Sequence, residues 1–130
     1  MSRIHIPATI DEAPAAARPQ LEAVRKMLGS VPNVFRLAAN SPAALAGYTG
    51  LLGALSQGKL PAATHERIAI GVAEFNGCDY CLSAHTWLGK NVAKLDDAEL
   101  AANRRATSND PHADAAVRFA RLVIDRKSVV

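Results

Sequence analysis

Cys78, Cys81 and His85 are the residues whose types and spacing could do chemistry in this chain. On a continuous helix, positions i, i+3 and i+7 project from one face, so two sulfurs and an imidazole can form one site. Cys78 follows the Asn76-Gly77 break and falls in the first turn. Unpaired backbone N–H groups and the helix dipole there stabilise a thiolate. Cys81 lies one turn before His85, the distance over which an imidazole can take a thiol proton or stabilise the resulting anion. The two effects favour different sulfurs, so the spacing leaves open which cysteine attacks.

A carboxylate that orients His85 would complete a nucleophile, base and acid arrangement. Glu74 is nearest in sequence, but Glu66 is better placed if the helices before and after Gly77 fold back as an antiparallel pair. At 1.5 Å per residue the axial partner of Glu66 is then near residue 88, roughly 5 Å beyond His85 and about 10 Å beyond Cys81. Glu66 should reach His85 first, fixing its tautomer and raising its basicity. A C-x-x-C pair also occurs in zinc sites, and Cys78, Cys81, His85 and Glu66 could supply four ligands. No second C-x-x-C or H-x-H pair is present to close a structural site, and no metal is expected. Leu82 follows the second cysteine where covalent haem requires histidine, and no strand-like run precedes Cys78 as a thioredoxin fold requires. Tyr80 and Trp87 flank the site and could line an apolar substrate entrance, although core packing is the favoured role for Trp87. His65 points about 100° away from Glu66 and reads as surface.

The elements that must position these residues are helices, because apolar residues recur at three and four and never in sustained alternation. A first helix begins near Arg18 and stops at Gly29. Pro32 opens a short one, and Ser41-Pro42 supplies a cap and a first-turn proline for a longer one ending around Gln57-Gly58. Pro61 starts the helix that Asn76-Gly77 breaks. After the helix that begins at Cys78, Asp96 caps residues 97 to 106, and Asp110-Pro111 starts the last helix. The expected buried stripes are Leu45, Tyr48, Leu52 and Leu55; Ile68, Val72 and Phe75; Leu82, Trp87, Leu88 and Val92; and Ala116, Phe119, Ala120 and Val123. The expectation is an all-α, compact bundle of six or seven short helices, one domain over 1–130 with residues 1–13 as an extended N-terminal segment.

Composition narrows the function classes. The 130 residues are 49% hydrophobic and 21% charged, an ordinary globular balance. The formal charge is +3, and the densest basic groups are Arg104-Arg105 and Arg126-Lys127. Neither makes a basic stripe, so no nucleic acid is expected. No apolar stretch of roughly eighteen residues exists, so no membrane span is expected. Residues 1–10 lack the apolar block and cleavage site of a secretory signal, which points to a reducing cytoplasm. Six aromatics among Phe, Tyr and Trp make a thin core, so a homo-oligomer is expected to complete the burial.

The run E-R-I-A-I-x-V-A-x-x-N-G-C-D-Y-C-L-S-A-H, from Glu66 to His85, resembles the active-site signature of the carboxymuconolactone decarboxylase and alkyl hydroperoxidase D superfamily, in the branch with a redox dithiol. The wider similarity runs from about Val31 to about Leu122. The resemblance implies an all-helical fold, a trimer or hexamer, and peroxide reduction by the dithiol, with Glu66, Cys78, Cys81 and His85 matching the site one by one. Tyr80 stands where some members carry a further histidine, so a relay through that position is not implied. Members with this kind of N-terminal half often continue well past the last helix, so part of the oligomer interface is expected to be absent or differently built.

The activity expected on this basis is antioxidant reduction of organic hydroperoxides. Cys81 attacks, Cys78 resolves, and no cofactor is tightly bound. An external dithiol, by resemblance a dihydrolipoyl group on a lipoyl-bearing protein or a peroxiredoxin partner, reduces the disulfide. The alternatives are a thiol-disulfide reductase serving a peroxiredoxin, and a non-catalytic helical oligomer whose dithiol senses oxidation or binds zinc. A reversible dithiol has no use in lactone decarboxylation, which argues against that third activity.

Overall fold

The computed structural model describes residues 3–125; the Arg126-Lys127 pair lies outside them. A 3-10 turn, Ala15–Ala17, precedes α1 (Arg18–Leu28), α2 (Asn33–Ala38) and α3 (Pro42–Ser56). Then follow α4 (Ala62–Phe75), α5 (Asp79–Asn91), α6 (Asp97–Arg104) and α7 (Pro111–Ile124). Among the described residues there is no strand, so the all-α expectation holds. Most helix ends fall where local chemistry dictates. Gly29 takes φ 76° at the end of α1, a left-handed conformation that glycine adopts without penalty. Ser41, Asp96 and Asp110 accept backbone N–H bonds at the starts of α3, α6 and α7.

The contacts divide the chain into two compact units, which part after Gly58. In the first, Ala13, Ala17, Leu21, Val24, Phe35, Ala39 and Leu45 form the core. Residues 5–13 are non-helical and tied down by α2 and the turn that follows it. Arg36 Nη1 donates to the carbonyls of Pro7 (3.2 Å) and Ala8 (2.7 Å), and the Asn40 amide donates to that of His5 (2.7 Å). The stripe expected on α3 is corrected: Leu45 is buried, but Tyr48, Leu52 and Leu55 are exposed. Within this unit α3 packs on α2 and the 3-10 turn, Tyr48 meeting Phe35 with ring centroids 5.4 Å apart. Among the described residues of this unit, Leu51, Leu52 and Leu55 stay exposed.

The second unit is built around α4, which packs against α5, α6 and α7. This central position overturns the expected single stripe. Thr64, Ile70, Gly71 and Ala73 are the buried residues, while Phe75 is 39% exposed. A helix with neighbours on several sides buries small residues where backbones approach. A Cβ on Gly71 would lie 3.2 Å from the Asn103 carbonyl oxygen, and one on Gly89 would lie 3.1 Å from Leu100 Cδ2. The same correction applies to α7, which buries Ala113 and Val117 rather than Phe119 and Val123, and to α5, where Gly89 is buried and Val92 exposed.

A buried polar hub, unsignalled in the sequence, joins three parts of this unit. Glu99 of α6 accepts from Arg67 Nε of α4 (2.7 Å), the Asn103 amide (2.9 Å), the Ser108 hydroxyl and the Asn109 N–H (2.7 Å). Burial alone would push the Glu99 carboxyl up, but the hydrogen bonds from Ser108, Asn103, Asn109 and Arg67 outweigh it and hold the group at about 2.

Candidate active site

The turn between α4 and α5 sets the position of both sulfurs. The Cys78 N–H donates to the Ala73 carbonyl (3.0 Å) and the Gly77 N–H to that of Glu74 (3.2 Å), the paired bonds of a Schellman motif, with Gly77 at φ 62°. The motif ends α4 and delivers Cys78 directly to the N-cap of α5. Nothing lies within 4 Å of a Cβ built on Gly77, so only the backbone angle opposes a side chain there. Gly77→Ala is expected to lower unfolding stability by about 1 kcal/mol through that angle alone. Urea denaturation measures it, and an unchanged midpoint would contradict this reading of the turn.

Cys78 and Cys81 are joined as a disulfide with their Cα atoms 5.3 Å apart. Both are half-buried. The Cys81 N–H donates to Cys78 Sγ at 3.3 Å, so the N-cap place usually held by a hydroxyl or carboxylate oxygen is held by sulfur. Once the disulfide is reduced, the same N–H and the helix dipole favour a thiolate at Cys78.

Glu66 and His85 meet across the α4–α5 pair: Glu66 Oε2 lies 2.9 Å from His85 Nδ1, with side chains 21% and 36% exposed. The contact between Glu66 and His85 is the one that the fold-back of α4 on α5 predicts. Glu74 is engaged elsewhere, its Oε2 accepting from Arg104 Nε at 2.7 Å. An ionised carboxylate only accepts, so the neutral ring carries its proton on Nδ1 and leaves Nε2 as the basic nitrogen. Among the described residues no protein group hydrogen-bonds Nε2. With the sulfurs bonded to each other, neither has a proton to give it.

Tyr80 and Trp87 stand apart from this group. Both are exposed, Trp87 by 61%, which overturns its expected core role. They share a side of α5 about 100–160° round the helix from Cys81 and His85. His65 is half-buried on α4. No group of three or more His, Cys, Asp or Glu among the described residues is arranged to hold a metal ion.

Residues 42–122, from the start of α3 into α7, match the carboxymuconolactone decarboxylase family. The chain belongs to this family. The match contains every residue of the candidate site and covers more than half of the sequence. An uncharacterized protein of Cupriavidus necator is 46% identical over 46 residues, a stretch that makes up 35% of this chain and 41% of that protein. The chain therefore matches less than half the length of that relative. Family membership and the bonded C-x-x-C pair are compatible with a redox role. No helix among the described residues is long and apolar enough to cross a membrane.

Proposed function

We propose that this family member is a thiol-dependent peroxidase that reduces organic hydroperoxides through Cys78 and Cys81. The observation that carries the reading is the Glu66–His85 pair, whose imidazole stands one turn after the disulfide-bonded Cys81 on α5. In the reduced protein, His85 Nε2 takes the Cys81 proton, and the thiolate attacks the terminal peroxide oxygen. The O–O bond breaks, the alcohol leaves with a proton, and Cys81 becomes a sulfenic acid. The Cys78 thiol displaces water from it and forms the disulfide. An external dithiol then restores both thiols through a mixed disulfide and is itself oxidised. A dihydrolipoyl group on a lipoyl-bearing protein, or a peroxiredoxin partner, suits the role of the other redox half, and no tightly bound cofactor takes part. Exposed Leu51, Leu55, Phe119 and Val123 support a homo-oligomer, trimer or hexamer, that covers them, and a reducing cytoplasm suits the cycle.

The sulfur N-cap supports a second reading, a thiol-disulfide reductase that uses Cys78 as its nucleophile and hardly touches peroxide. Mixing the reduced protein with one equivalent of cumene hydroperoxide decides between them. The peroxidase loses both thiols within the mixing experiment, and His85→Gln slows that loss by about a hundredfold, as removal of a general base does. Thiols that survive the peroxide, with exchange against dihydrolipoamide intact, would replace the first reading by the second.

A further inference from the structure

We infer that the cleft bounded by the last turn of α4, the end of α6 and Arg121 of α7 is a binding site for a small oxyanion, a carboxylate or phosphate group. This goes beyond the dithiol chemistry and does not depend on it. The cleft is a cavity of about 250 Å³ whose lining includes Glu74, Phe75, Arg104, Arg105 and Arg121. Three guanidinium charges face one carboxylate there, leaving two positive charges unbalanced. The Glu74 carboxylate is already spent on Arg104, whose Nε and Nη2 reach its two oxygens at 2.7 and 3.4 Å. Arg105 has no side-chain partner among the described residues.

Arg121 is the informative residue. Its guanidinium carbon sits 3.7 Å from the centroid of the Phe75 ring, a stacking that holds the planar group in place and leaves its edge for hydrogen bonding. Its Nη1 is closed off from solvent and has no hydrogen-bond partner among the described residues. An oxyanion in the cleft would offset the excess charge and accept hydrogen bonds from guanidinium nitrogens that face it. Arg104 and Arg121 also lie in the last turns of their helices, where cations complement the dipole. That role accounts for positive charge at this end of the unit. It does not account for two arginines, Arg105 and Arg121, that line one cavity with no carboxylate partner among the described residues.

The test is a titration of the intact chain with inorganic phosphate, and separately with acetate, followed by the arginine Nε–H signals in NMR at low ionic strength. The Arg105 and Arg121 signals should shift saturably, with a Kd on the order of 1 mM for the better anion. Arg121→Met and Arg105→Met should each weaken binding at least fivefold, and Glu74→Gln, which frees Arg104, should strengthen it. Arg118→Met should leave it unchanged, because Arg118 is paired with Asp114 at 2.6 Å. Tighter binding of phosphate identifies a phosphate group as the natural ligand, and tighter binding of acetate a carboxylate. A linear, unsaturated response to both anions, or equal affinity in Arg121→Met, would overturn the assignment.

Discussion

Cys78→Ser and Cys81→Ser are each expected to lower steady-state hydroperoxide turnover by on the order of a thousandfold or more, because residues that act as one unit fail together when either is removed. The two variants fail differently. The one that keeps the attacking sulfur consumes a single equivalent of peroxide and stops at a sulfenic acid, which then drifts towards the irreversible oxidised forms. The one that keeps only the resolving sulfur consumes none. Mass spectrometry after one equivalent of peroxide therefore settles which sulfur attacks, the question on which the N-cap at Cys78 and the imidazole near Cys81 give opposite answers. Structural collapse does not confound the result. Serine is itself a favoured N-cap and can accept the Cys81 N–H bond in place of Cys78 Sγ. The loop closed by the disulfide spans only residues 78 to 81, and short loops gain least from cross-linking. Turnover within tenfold of wild type in either variant would remove the dithiol from the mechanism.

Glu99 should dominate the acid sensitivity of the second unit. Its carboxyl is held at about 2 against an ordinary 4.5, so the folded state favours the ionised form and the unfolded chain takes up the proton more readily. Stability from this group is complete above pH 4.5 and drains away as the pH falls towards about 2. The amount is about 3 kcal/mol, a large share of the stability of a small domain. Glu99→Gln removes the titrating group and leaves Arg67, 13% exposed, with only the more distant Asp110 carboxylate, 4.0 Å from its Nη2. Stability at neutral pH should then fall by about 3–5 kcal/mol, as when one partner of a buried pair is deleted. The loss on acidification should become correspondingly shallower. Asp114, lowered by hydrogen bonds from Arg118 and the Ser108 N–H, contributes in the same direction and remains in the variant. Urea midpoints of both proteins between neutral pH and pH 2 measure the difference; parallel curves would show that the hub does not control acid unfolding.

The legible and illegible parts of this molecule separate by the range of the interactions involved. Gly29, Ser41-Pro42, Pro61, Asn76-Gly77, Asp96 and Asp110-Pro111 mark helix ends because a cap acts on N–H or carbonyl groups within four residues of itself. The Glu66–His85 contact was legible for a related reason. The α4–α5 connection is so short that the fold-back is nearly determined, and rise per residue supplies the register. The contact falls at residue 85 rather than near 88, a difference that long side chains bridge. Trp87 shows the limit. Its type argues for burial, yet burial depends on what packs against that side of α5, and the described residues leave it exposed.

The sequence by itself determined the helical class, the places where helices begin and end, the dithiol at a helix start and the acid that orients the imidazole, all through interactions within a helix or across one tight turn. Only the tertiary structure decided which faces are buried, why Gly71 and Gly89 occupy the close approaches, and that Glu99 gathers donors from α4 and from the segment after α6. Arg67 and Glu99 lie 32 positions apart, and no local preference of either residue encodes their meeting. It follows from how α6 packs on α4, and the hydrogen bonds formed there outweigh the desolvation that would otherwise have kept that carboxylate in water.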